Sequence, residues 1–171
     1  MIFIWYLIQC QKQNEWKILN SCRQNISRTA LKDAFIFTYD RMHKFHGEWH
    51  LEKRLMFPTY VFLESDHADA LVEELKQYEG IVDLLRASGK MIPVQKNEEM
   101  FLSDLCGKSH HLGMSKGVIR DGITQIMEGP LQGLEERICR IDRHKRLAKV
   151  EAPKSLPQGS ILAGLEIVEK S

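Results

Sequence analysis

The run from Asp121 to Glu151 leaves a chain few ways to fold. It sets Gly122, Gly129-Pro130 and Gly133 between short apolar segments. Inside a helix each glycine would cost about 1 kcal/mol and the proline about 3 kcal/mol, so short strands joined by turns are favoured. Ile123, Gln125 and Met127 alternate with their neighbours, which predicts a strand with one largely apolar face. Gly129-Pro130 ends it, because proline cannot donate to a ladder and glycine accepts unusual backbone angles. Arg137–Ile141 is a second strand, expected to turn Ile138 to one face and Arg137, Cys139 and Ile141 to the other. Residues 142–146 make a basic connection, and Leu147–Val150 begin a third strand.

The net charge is only +1 over 171 residues, so any surface for a polyanion has to be local. One local excess exists: Arg137, Arg140, Arg143, Lys145, Arg146 and Lys149 face only Asp142 between positions 137 and 149. His144 lies among them and has the chemistry to stack on a base or share charge with a phosphate. A charge run is more often a solvated face, and composition alone leaves both readings open. The four cysteines, Cys10, Cys22, Cys106 and Cys139, show no C-x-x-C spacing, which argues against a zinc ribbon or a disulfide framework and for reduced thiols. The apolar run Ile2–Ile8 is too short to span a membrane and has no basic flank before it, so neither a signal peptide nor a membrane anchor is expected. No P-loop, G-x-G-x-x-G or H-E-x-x-H motif occurs, so an enzyme is the weaker class.

Upstream, residues 2–10 read as a buried central strand. A helix from about Glu15 to Asn25 is expected, with Trp16, Leu19, Cys22 and Ile26 at helical spacing. A strand over 34–39 and a polar hairpin over 41–57 follow, the hairpin expected to project as an arm. Phe57–Leu63 is a core strand, with Tyr60 and Phe62 on one face. Asp66 is the expected N-cap of a helix carrying Leu71, Leu75 and Tyr78 and closed by Gly80. A short strand over 81–85, a turn at 88–90 and a helix over 97–105 complete this part. Residues 107–117 are polar and aperiodic and read as a linker. The expected architecture is α+β: an N-terminal antiparallel sheet with helices in a ferredoxin-like sandwich, a linker, then a small all-β barrel. The three histidines of the hairpin, His43, His46 and His50, lack ligands at a recognised spacing; no metal or cofactor is expected. No heptad run suggests a dimer, so a monomer is expected.

Two resemblances follow from these residues. Gly122, the Gly129-Pro130-Leu131 turn and the strand ending in Ile141-Asp142 resemble a KOW motif, although Glu135-Glu136 stands where an Asn-Gly-like pair is usual. Trp5-Tyr6 and, some fifty residues on, Phe57-Pro-Thr-Tyr-Val61 resemble the paired signatures of the NusG N-terminal (NGN) domain, with Thr59 replacing the usual glycine. Together they cover nearly the whole chain and imply an NGN domain over 1–106, a linker over 107–117 and a KOW domain over 118–171. The turn Ile141–Ala148 is more similar to the specialised LoaP-like members than to general NusG.

The resemblance implies a cytoplasmic bacterial transcription elongation factor without enzymatic activity. Its NGN domain would bind the clamp helices of RNA polymerase and suppress pausing, with Tyr6, Phe57, Tyr60 and Phe62 as candidate contacts. The KOW domain of a LoaP-like member would bind an RNA hairpin in a nascent leader transcript and give processive antitermination; the candidate RNA contacts are Arg137, Arg140, Arg143, His144, Lys145, Arg146 and Lys149. The hairpin over 41–54, carrying His43, Lys44, His46, His50, Lys53 and Arg54, is a candidate contact for non-template DNA. The alternative is a general NusG whose KOW domain binds proteins, Rho or a ribosomal protein, instead of RNA.

Overall fold

The computed structural model describes residues 2–78, 82–83, 91 and 93–171. The predicted helix stop at Gly80, most of the strand over 81–85 and the turn at 88–90 lie outside them. In chain order the elements are β1 (Ile4–Cys10), α1 (Glu15–Asn25), β2 (Asp33–Phe35), β3 (Thr38–Phe45), β4 (Glu48–Leu55), β5 (Tyr60–Ser65), α2 (Ala68–Leu75) and β6 (Val82–Asp83). There follow α3 (Lys96–Cys106), β7 (His111–Leu112), β8 (Ser115–Arg120), β9 (Ile123–Glu128), β10 (Ile138–Asp142), β11 (Leu147–Glu151) and β12 (Ser160–Lys170). They group into two compact units, residues 1–36 with 57–99, and residues 37–56 with 100–171.

In the first unit a four-stranded sheet runs in the order β2-β5-β1-β6, with β1 antiparallel to β5 from Ile4↔Ser65 to Gln9↔Tyr60. Leu7 pairs with Phe62 and Phe62 with Phe35, so these side chains and Trp5 share one face. There Trp5 meets the edge of Phe35 at 5.0 Å, while Phe35 stacks on Phe62 at 5.7 Å. The alternate positions Ile8, Val61 and Leu63 are fully buried on the opposite face. Helix α1 packs toward β2 and β5 and buries Ile18, Leu19 and Cys22. Trp16 points out at 54% exposure and Glu15 takes the inward position beside it. Leu19, Cys22 and Ile26 are buried as expected and only Trp16 is displaced, because Glu15 takes the inward position of the first turn and binds a backbone amide there.

Two local expectations change. The strand predicted over 34–39 is two strands: Asp33–Phe35 pairs with β5 in the first unit, and Thr38 begins a ladder with β4 and β7 in the second. Asp66 does not cap α2; the preceding Ser65 hydroxyl accepts from the His67 amide at 2.9 Å.

The second unit holds a three-stranded sheet, β4-β3-β7, and a five-stranded sheet, β10-β11-β12-β8-β9. The long β12 pairs antiparallel with β11 through its first half and parallel with β8 through its second. Val118, Ile126, Leu131, Ala148, Val150, Ile161, Ala163 and Leu165 form the core. Gly129 sits at φ +103, and a side chain there would lie 2.6 Å from the Ser115 Cα, so both backbone angle and space require glycine. The expected Gly-Pro stop is thus present. The apolar face of β9 does not point inward: Ile126 is buried while Ile123 and Met127 stand 72% and 54% exposed on an edge strand. Before β10, a 3-10 turn at Glu135–Arg137 occupies the place of a tight hairpin turn. The stretch 107–117 contains a 3-10 turn at Gly107–Ser109, β7 and the start of β8.

Candidate nucleic-acid interface

The basic residues cluster around the β10–β11 connection. A bulge between Ile138 and Arg140 shifts the ladder, so that Ile138 lies opposite Val150 and Ile141 opposite Ala148. Both isoleucines therefore take one side, and the strict alternation expected for this strand fails; the extra residue of a bulge consumes one position. Arg140 comes directly opposite Lys149. Two like charges face to face on a ladder repel, an arrangement that an anion lying across them would relieve. Both side chains are exposed, as are Arg143, His144 and Lys145 in the turn. Asp142 holds the turn by accepting from the Lys145 amide at 3.0 Å.

Arg146 and Arg137 are placed differently. Arg146 takes φ +52, which folds its side chain back. Its guanidinium lies 4.1 Å from the centre of the Trp49 ring, and one nitrogen lies 3.8 Å from Glu166. Arg137 lies over the Phe101 ring at 5.4 Å. Among the described residues, the exposed cations of this cluster without such a contact are Arg140, Arg143, Lys145 and Lys149. Sequence reasoning passed over Trp49 and Glu166; a lone tryptophan in a hairpin of polar and charged residues was the available signal for the first.

The β3–β4 hairpin is seated on this unit at its base. His111 on β7 bridges Thr38 Oγ1, at 2.7 Å from Nδ1, and Asp40 Oδ1, at 2.8 Å from Nε2. Gly164 on β12 permits the close approach of the Asp40 backbone: a side chain there would lie 2.6 Å from the Asp40 carbonyl oxygen and would also strike Met114. His43 pairs with His50 across the hairpin, and Lys44 with Trp49. Among the described residues, no three His, Cys, Asp or Glu side chains come together to hold a metal.

The aromatic signature of the first unit lies mostly inside it. Phe57 and Phe62 are 2% and 0% exposed, with ring centres 5.8 Å apart. Tyr6 is buried; that burial, and next the charge of Asp69, raises its phenol pKa above the usual 10. Tyr60 stays half-buried at the start of β5. Thr59, just before it, has φ +75, in the region L side chains avoid. Its amide donates to the carboxylate of buried Glu15 at 2.7 Å, its carbonyl accepts from Cys10 N at 2.8 Å, and its hydroxyl accepts from Gln9 Nε2 at 3.3 Å. Those bonds hold a conformation that a glycine would adopt without strain. Burial, and next the charge of Glu15, pushes the Cys10 thiol up to about 11; burial alone takes Cys106 to about 12.

Comparison with known proteins bears on both units. The family model described as "Transcription termination factor nusG" matches residues 3–101, more than half of the chain. A solved structure from Thermotoga maritima, described as "Domain interaction in Thermotoga maritima NusG", matches with a TM-score of 0.57 at 18% identity, covering 98% of this chain and 95% of that one. At that identity the likeness is one of fold. No curated protein matches the sequence.

Proposed function

Because this chain belongs to the NusG family of non-enzymatic transcription factors, whose members bind RNA polymerase, we propose that it is a specialised, LoaP-like elongation factor that reads RNA. In this proposal residues 1–106 act as the NGN domain and 118–171 as the KOW domain. The NGN domain binds the polymerase clamp helices and suppresses pausing. Tyr60 makes direct contact there and Phe57 and Phe62 shape that surface from beneath, while Tyr6, paired with Leu63 on the opposite face of the sheet, acts only as support for the strand. The KOW domain binds a hairpin in the nascent leader transcript, which ties the factor to one operon and gives processive antitermination in the cytoplasm. The β3–β4 hairpin lies toward non-template DNA. No helix among the described residues is long and apolar enough to cross a membrane.

The observation that carries the RNA reading is the exposed cationic set Arg140, Arg143, Lys145 and Lys149, with Arg140 and Lys149 held opposite each other. Arginine's planar fork matches phosphate oxygens and stacks on bases, and A-form RNA offers protein mainly backbone, shape and loop bases. The test is a salt titration of the full chain with a stem-loop RNA, a scrambled-loop RNA and duplex DNA, repeated with Arg140→Ala/Arg143→Ala/Lys145→Ala. Selective RNA binding that weakens in the variant supports the proposal, with a salt slope of about 0.7–0.9 per phosphate neutralised. Weak and equal binding to all three removes it. A second reading, a KOW domain that binds protein, is favoured by Ile123 and Met127 exposed on edge strand β9.

A further inference from the structure

The basic turn does not stand alone. Lys44 and Trp49, neighbours across the β3–β4 ladder, line an open cleft together with Arg143, His144 and Arg146 of the turn and Glu166 and Ile167 of β12. Its volume is about 390 Å³, within the roughly 300–1,000 Å³ usual for small-ligand sites. We propose that this cleft holds one unpaired nucleotide of an RNA loop, with its base on Trp49 and its phosphate between Lys44 and Arg143. The proposal rests on the turn being an RNA contact and adds the hairpin arm as the second half of the site.

Three features carry it. The first is a stacking platform: Trp49 is half-buried and the guanidinium of Arg146 lies over it at 4.1 Å. An indole paired with a planar guanidinium is a surface on which an unstacked base lies flat, whatever its identity. The second is charge. Arg146 is matched by Glu166 at 3.8 Å, while Lys44 lies near the Trp49 ring at 5.8 Å from its centre, and among the described residues neither Lys44 nor Arg143 forms an ion pair. That leaves two cations for a phosphate, with the Glu166 carboxylate repelling it from the other end. The ligand's polarity follows: phosphate toward Lys44 and Arg143, base toward Trp49 and Ile167. The third is preorganisation. The His111 bridge to Thr38 and Asp40, and the close approach at Gly164, hold the arm in place before any ligand arrives. At about 390 Å³ the cleft is of single-ligand size and much smaller than a paired stem, so the proposed occupant comes from a loop, bulge or single strand.

The test uses the full chain and three labelled probes read by fluorescence anisotropy: a stem-loop RNA with an unpaired loop, the same stem with an abasic loop, and the DNA stem-loop of the same sequence. The proteins are wild type, Trp49→Ala, Trp49→Phe, Lys44→Ala and, as a turn variant outside the cleft, Arg140→Ala/Lys145→Ala. Trp49→Ala should weaken binding to the intact-loop RNA on the order of tenfold, and should leave binding to the abasic-loop RNA unchanged. Trp49→Phe should keep most of the affinity, and Lys44→Ala should lower the salt slope by about 0.7–0.9. Because Lys44 is exposed, its variant keeps the test decisive even where Trp49→Ala fails to fold. If the Trp49 and Lys44 variants bind as wild type while Arg140→Ala/Lys145→Ala loses affinity, the cleft proposal falls and the turn survives. If Arg140→Ala/Lys145→Ala also binds as wild type, the RNA-binding turn itself falls. DNA that binds as tightly and is as sensitive to Trp49→Ala overturns the assignment to RNA.

Discussion

The β5 strand with its flanks, and the β10–β11 turn, both look like contact surfaces in the sequence, and the fold treats them oppositely. Phe57 and Phe62 go into the core of the first unit, whereas Arg143, His144 and Lys145 stay on the surface of the second. The difference is one of solvation. An aromatic ring gains free energy wherever it leaves water, so a partner's groove and the protein's own interior are equally good destinations. An unpaired guanidinium or ammonium loses several kcal/mol on burial and has to remain outside unless it is matched. Arg146, which meets both Trp49 and Glu166, shows the exception: it is the turn cation that is partly withdrawn from solvent.

The sharpest way to break this contrast is to truncate one member of each set. Phe62→Ala removes a fully buried ring stacked on Phe35 and should cost about 3–5 kcal/mol in urea unfolding. Arg140→Ala/Arg143→Ala/Lys145→Ala should change stability by only about 0.5 kcal/mol per site while acting on RNA binding. A Phe62 variant that loses less than about 1 kcal/mol would mean that the ring is a surface group and not a core one.

A smaller effect sharpens the account of the first unit. Thr59 at φ +75 bears the strain of a β-branched residue in the left-handed region, about 1–2 kcal/mol. Thr59→Gly relieves it, at the cost of greater freedom in the unfolded chain and of the Gln9 contact, and should be net stabilising by about 0.5–1 kcal/mol. Equal or lower stability in thermal unfolding would show that the hydroxyl's hydrogen bond outweighs the strain.

The smallest effect lies on that unit's surface. The Ser27 hydroxyl, and next its backbone amide, donates to Glu74 and lowers that carboxyl below its usual 4.5. A carboxyl whose pKa is depressed in the folded state stabilises the protein above its unfolded pKa, and that contribution is lost as pH falls through the folded value. Ser27→Ala should therefore be slightly less stable than wild type near neutral pH. The two should converge below about pH 4.5 in a stability-versus-pH series.

Legibility differed by residue. The Gly129-Pro130 stop and the strands around it were readable because backbone restrictions at glycine and proline act locally. The strand over 34–39 was misread as continuous because its apolar run satisfies either unit; pairing partners distant in sequence split it. The faces of β9 and β10 were misread because alternation does not say which face is inward, and the bulge at Ile138/Arg140 breaks the period. Trp49 and Glu166 were missed for the same kind of reason: their meeting with Arg146 joins residues 49, 146 and 166, and no local pattern encodes it.

By itself the sequence determined the type of most elements, though not of β7, β8 or β12, together with the basic excess at 137–149 and the paired signatures at Trp5-Tyr6 and Phe57–Val61, because propensity, charge and spacing are local properties of a chain. Tertiary structure alone decided that Thr59 sits at a glycine's backbone angle and that Arg146 belongs to Trp49. It also decided that the β3–β4 hairpin shares a unit with the basic turn. Each of these depends on contacts between residues far apart in the chain, whose outcome is settled only when the competing ways of burying apolar surface and pairing charge are resolved together.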